Sequence, residues 1–290
     1  MNKNKYNNNK GYQNYGPVNQ GQAQAQPAQD QWDGAPPQQQ GYAGGADYAV
    51  DAQGNPILAG DMSHPAVAAF VKRVYIWFSV ALATATGAAF GGVQLTEPLI
   101  NAAITGDTVA AGTLSSITWG AWGVTVIAFI AMAVIRNNKG ALKTGVFFTL
   151  AAACGLQIAP TLAFAGVAGL GMTVVYAFGL TTVLFGGLSV YVLSTNDDFS
   201  KLGKVLLPAM TILFFLFIAM AFIPFPSVAT TLIVAVALVV FLGFVLYDTS
   251  KITREYYHRD DALLAAAMLF YDFFAIFRFI LYLLMGSSRD

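Results

Sequence analysis

Charge is the scarcest thing in this sequence. Only 15 Lys and Arg and 15 Asp and Glu stand among 290 residues. That is 10% charged, against about 25% in a soluble domain. The signs balance to zero net charge, which leaves no basic footprint for a nucleic acid. Cysteine is nearly absent as well. The single Cys154 excludes an internal disulfide and a cysteine metal cluster, and in its apolar run it reads as a small core residue. His64 and His258 are too few and too far apart for a metal motif. There is no Walker loop, nucleophile elbow, His-Glu-x-x-His or dinucleotide loop. The glycine-rich piece Gly166 to Gly171 lacks a following phosphate-binding lysine. No motif supports an enzyme, and no tightly bound cofactor is expected.

What is abundant is apolar sequence, 56% of the chain, and it is unevenly placed. Residues 1–64 are rich in Asn, Gln, Gly, Pro and Tyr, as in Pro37-Gln38-Gln39-Gln40-Gly41-Tyr42. They offer too little apolar surface to offset the entropy of ordering, so a disordered tail is expected there. Met1 is followed by polar residues without an apolar h-region, so no secretory leader is expected. The rest of the chain divides into seven hydrophobic runs, roughly 67–91, 115–135, 144–165, 171–193, 204–224, 228–250 and 262–285. Each reaches the ~20 residues a helix needs to cross the hydrocarbon at ~1.5 Å per residue. They are not barrel strands, which run about 9–11 residues and alternate apolar with polar. The expected fold is therefore an all-α integral membrane bundle of seven transmembrane helices (65–286), with a short C-terminal tail at 287–290.

The basic residues orient it. Lys72 and Arg73 open the first run. Arg136, Lys139 and Lys143 follow the second, Lys201 and Lys204 the fourth, and Lys251, Arg254 and Arg259 the sixth. The alternate connections carry none. Basic residues mark the cytoplasmic side, so the N-terminus is expected in the cytoplasm and the C-terminus outside. Trp77, Trp119 and Trp122 lie near expected span ends, where an amphipathic ring suits the interface.

Acidic residues inside the runs are the candidates for chemistry. Asp248 ends the sixth run and Asp272 lies within the seventh. A carboxylate near the bilayer centre costs roughly 2.5–3.5 kcal/mol on insertion scales, so it faces protein or water and has a partner. The two runs are consecutive and antiparallel. Counted at ~1.5 Å per residue, the two aspartates reach comparable depth. If they meet, they share a proton and titrate as a unit, which is the physical basis of a pH sensor. Arg136 sits at a suitable depth to counter them; its plainer role is a positive-inside anchor. Arg278, six residues beyond Asp272, lies about 240° round the helix and cannot share its face. It suits another polar partner or a snorkelling role. Gly155, Gln157 and Pro160 suggest a break or a proline kink in the third run. The Gly and Ala of the first and fourth runs suggest close helix packing.

Four segments resemble the Bax inhibitor-1 family, the transmembrane Bax inhibitor motif proteins, on their bacterial YccA-like side. They are Thr195-Asn196-Asp197-Asp198-Phe199-Ser200-Lys201-Leu202-Gly203, Leu246-Tyr247-Asp248-Thr249-Ser250-Lys251-Ile252, Leu269-Phe270-Tyr271-Asp272-Phe273, and Gly155 through Pro160. The resemblance covers about residues 65–286. It implies a seventh helix enclosed by the other six, a place in a bacterial inner membrane, and a pH-dependent calcium leak. The aspartate sensor falls on Asp248 and Asp272, with Arg136 as the pairing arginine. The same two aspartates are then weak, transient calcium ligands, calcium being a permeant ion rather than a cofactor. Phe270 stands where the family often has Tyr, Ala275 where many members have Asn, and the second span has no acidic residue. The alternative function is a non-conducting regulator of membrane partners, for example a membrane protease or stress-response protein, for which the polar tail is suited. The weaker third option is a proton-coupled transporter.

Overall fold

The computed structural model describes residues 49–50, 56–57, 62, 64–135, 140–195, 197–256 and 260–287. All but the first five of these make a helical bundle. Its helices are α1 (Pro65–Ile104), α2 (Thr108–Val134), α3 (Ala141–Val167), α4 (Gly171–Ser194), α5 (Gly203–Phe222), α6 (Ser227–Lys251) and α7 (Ala262–Ser287). A 3₁₀ turn, Phe199–Leu202, leads into α5, and a π-helical turn, Ile252–Tyr256, follows α6. Ala49–Val50 pairs antiparallel with Pro56–Ile57 as a minimal ribbon. Apart from these four residues, Met62 and His64, the sequence-predicted tail lies outside the described residues, as does Arg136.

All seven runs become helices long and apolar enough to cross a membrane. Large apolar side chains such as Phe90, Ile127, Val183, Phe215 and Val239 are exposed all round the bundle. In a soluble protein such a surface would be an aggregation liability; in a bilayer it is the lipid face. Hydroxyls in the spans bond back into their own helix, as Thr96 Oγ1 does to the Gly92 carbonyl at 2.8 Å and Thr181 Oγ1 to that of Ala177 at 2.7 Å. That local bond satisfies them where water is absent.

The first two boundaries differ from the sequence expectation. α1 does not stop near residue 91 but runs on to Ile104, so the expected 92–114 connection shrinks to Thr105, Gly106 and Asp107. The Asp107 carboxylate accepts hydrogen bonds from Val109 N at 2.8 Å and Ala110 N at 3.1 Å, an N-cap that starts α2 two turns early. Trp119 and Trp122 therefore lie about 16 and 21 Å inside α2 rather than near its start, where they pack on one another and Trp122 stacks on Phe214 of α5.

α7 is the axis of the bundle. Its backbone packs against α1, α3, α4 and α6. The rings of Phe129 on α2 and Phe217 on α5 reach it through Tyr271 and Phe279. Small side chains, Ala265, Ala266 and Ala267, let its first turns sit fully buried. The most extensive helix pair is α1 with α3, and glycine is the reason. A Cβ on Gly155 would collide with the Ala85 carbonyl oxygen, and one on Gly92 would stand 2.6 Å from Ala159 Cβ. Gly155 thus serves close packing, and α3 continues helically through Pro160.

Candidate functional site

Two of the segments on which the family resemblance rests, 195–203 and 246–252, clasp one another at one end of the bundle. Asp198 Oδ1 caps the 3₁₀ turn by accepting from Ser200 N at 3.0 Å and Ser200 Oγ at 2.6 Å. Phe199 N donates to Ser250 Oγ of α6 at 3.3 Å. Arg254 Nε lies 3.7 Å from Asp198. Gly203 lies beneath the Tyr247 ring, where a Cβ would stand 2.6 Å from Cε2. The conformation of the α4–α5 connection is thereby tied to the last turns of α6, the turns that present Asp248.

Asp248 and Asp272 are both buried, 8% and 4% exposed. Their carboxyls face each other within hydrogen-bonding reach across the α6–α7 seam. Asp272 Oδ2 has no hydrogen-bond partner among the described residues. A buried orphan acceptor is costly, and a proton, a water or a cation would satisfy it. Thr249, beside Asp248, has an orphan hydroxyl too, as do Tyr75 on α1 and Ser189 on α4; these three lie close together.

Both aspartates line a cavity of about 530 Å³ between α2, α5, α6 and α7. Its floor is Asp248, Asp272, Thr125 and Phe241, all buried. Its rim includes Ile130 of α2 and Leu207 of α5, 59% and 55% exposed. Arg278 is on another side of α7, near Tyr271 and Cys154, as its 240° offset requires. Cys154 is a fully buried core residue. Among the described residues no group of His, Cys, Asp and Glu forms a metal cluster.

Sequence reasoning found both aspartates from their depth alone. It missed the rings of Phe129, Phe241 and Tyr271 around them. Those side chains come from three helices, and only the rotation of each helix in the bundle brings them together.

Seven spanning helices, one of them buried at the centre, with an acidic pair on that helix and its neighbour, define a polytopic membrane protein with an intramembrane ionisable site. The comparisons narrow the class. The family model described as "Inhibitor of apoptosis-promoting Bax1" matches residues 67–290, and the chain belongs to this Bax inhibitor family. An uncharacterized protein of Campylobacter jejuni is 29% identical over 214 residues, covering 72% of this chain and 84% of its own. Bax inhibitor 1 of Oryza sativa is 27% identical over 228 residues, covering 78% and 84%. The Golgi anti-apoptotic protein of Vaccinia virus is 33% identical over 138 residues, covering 47% and 57%.

Proposed function

We propose that this protein is a pH-sensitive cation leak, with calcium as the permeant ion, gated by the Asp248–Asp272 pair. The observation that carries the reading is the pair itself: two carboxyls in contact, buried, one oxygen unpartnered, opening onto a cavity. Two carboxyls in contact share one proton and lose it as a unit. With the proton present they bond to each other and close the seam between α6 and α7. With it gone, the negative charge of the pair doubles, so the carboxylates repel each other and attract a cation more strongly. Calcium wants six to eight oxygens, and this site offers few, so it suits a transient stop on a slow path rather than tight storage. The tie between Phe199 and Ser250 lets movement at the α4–α5 connection reach Asp248.

The test is calcium flux into proteoliposomes of the purified chain across a pH series. Flux that changes steeply with pH supports the reading. An inert protein at every pH and voltage rejects it and leaves a non-conducting regulator of other membrane proteins.

A further inference from the structure

The polarity of the cavity beside the aspartates has a direction. Its deep end is carboxylate and its mouth is hydrocarbon. Ile130 and Leu207 at the rim are exposed on the lipid face. Asp272 at the floor is 4% exposed, and its Oδ2 has no hydrogen-bond partner among the described residues. Aromatic rings stand beside the carboxyls, Phe241 on the floor and the half-buried Phe129 and Tyr271 toward the rim. Phe129 and Tyr271 are 5.1 Å apart between centroids, and Phe241 and Tyr271 are 6.2 Å apart. Their helices supply these rings from three directions around the carboxyl.

We infer that this cleft is a binding site for an amphipathic organic cation, an alkylammonium, which enters sideways from the bilayer head first. The polarity gradient decides against a lipid acyl chain, whose methyl end would come to rest on the aspartates while its polar end trailed in hydrocarbon. It also decides against an anion, which the floor repels. An ammonium head suits the floor twice over. Asp272 offers an unpaired oxygen, and ring faces attract a cation within about 6 Å of their centroids, most of all when water is excluded. The trailing alkyl chain then covers the apolar walls. The volume, about 530 Å³, is that of a small-molecule site, which runs about 300–1,000 Å³. Lys251, one turn beyond Asp248 on α6, lines the same cleft with its Nζ 5.1 Å from the centroid of the Tyr247 ring; the buried carboxylate oxygen without a partner among the described residues is on Asp272 of the facing helix. The inference shares its aspartates with the proposed leak but needs no conduction.

The experiment measures binding of decyltrimethylammonium, and of decyl sulfate as its anionic twin, to the protein in nanodiscs of zwitterionic lipid. No ion gradient is applied. The expected result is saturable binding of the ammonium at one site per chain, at least tenfold tighter than any saturable binding of the sulfate. Asp272→Asn should weaken it tenfold or more. So should Ile130→Trp, which places an indole across the mouth at a lipid-facing position that tolerates bulk; should Asp272→Asn not insert, Ile130→Trp alone decides. Equal binding of the two amphiphiles, or ammonium binding that Ile130→Trp leaves unchanged, overturns the inference. Binding without any calcium flux would reject the leak and keep the site. Flux that depends on pH without binding would do the reverse.

Discussion

Lys143 Nζ lies 2.7 Å from Asp261 Oδ2, and both side chains are about nine-tenths buried. This pair joins the start of α3 to the start of α7. Asp261 also accepts from Leu264 N through its other oxygen at 3.1 Å, so one carboxylate both caps the central helix and pins it to a neighbour. Removing one partner of a buried pair leaves an uncompensated charge, which costs about 3–5 kcal/mol. Lys143→Met should therefore destabilise the bundle by roughly that amount. Adding Asp261→Asn, which keeps the cap and removes the stranded charge, should recover much of the loss. Thermal unfolding in detergent measures both. A harmless Lys143→Met would show that water reaches the pair and solvates Asp261.

The glycine seam gives the second prediction. Gly155→Ala drives a methyl into the Ala85 carbonyl and should cost about 1–3 kcal/mol, the ordinary range for overpacking. Gly145→Ala, two to three turns away on the same helix with nothing within 4 Å of its Cβ position, should be neutral or slightly stabilising, because alanine is the better helix former. Equal behaviour of the two variants would mean that α1 and α3 are not held in this register.

How much of this was legible in advance follows from what each feature depends on. The seven spans came from length and apolar content, which are properties of single segments. The ends of α1 and α2 did not, because the stretch after Gly91 is neither strongly apolar nor strongly polar. The one local signal is Asp107 as an N-cap, and a single aspartate marks a polar loop as readily as a helix start. Asp248 and Asp272 stood out because a carboxylate at membrane depth is rare. The aromatic cleft did not, since Phe129, Phe241 and Tyr271 are ordinary apolar residues until three helices are rotated into place. Asp198 and Gly203 were visible as a motif, while their purpose, a turn cap and room for Tyr247, needed coordinates.

Asp198 supplies a pH prediction. The Ser200 side chain holds its carboxyl below the usual carboxylate range; slight burial opposes this, and the Ser200 backbone, Arg254 and Lys201 add to it. A depressed folded-state pKa contributes stability above the unfolded value of about 3.9, and that contribution is lost as pH falls through the folded value. Asp198→Ala should cost about 1 kcal/mol at neutral pH, the usual worth of a cap. The gap to the unsubstituted protein should narrow as pH falls below the unfolded value of about 3.9 and through the lower folded one. A gap that is constant from pH 7 down to pH 3 would mean that the charge of Asp198 does no stabilising.

Orientation is open to chemical labelling. Basic residues near the ends of α2, α4 and α6 predict that these ends are cytoplasmic. With Cys154 replaced by Ala, a cysteine at Thr105, exposed in the α1–α2 connection, should react with an impermeant thiol reagent applied to intact cells. One at Lys201, exposed between α4 and α5, should react only after the membrane is opened. The opposite pattern would invert the bundle in the membrane.

The sharpest test of the aspartate pair is whether its two members act as one. Replacing either with Asn keeps size and hydrogen-bonding capacity but removes one ionisation. If the carboxyls titrate as a unit, each single substitution abolishes the shared proton, and flux in proteoliposomes should lose most of its pH dependence whichever aspartate is changed. The double variant should then resemble the singles, because one interaction has been broken once, and effects of residues in contact are not additive. Two independent sites would behave otherwise: each substitution would remove part of the profile, and the double variant would remove the sum. Thermal unfolding separates function from folding here. Asp272 is buried with Oδ2 unpartnered among the described residues, so an amide, which cannot ionise there, should leave stability unchanged or raise it. A stable Asp272→Asn with an unchanged pH profile would leave Asp272 a packing residue and transfer the question to Asp248 alone.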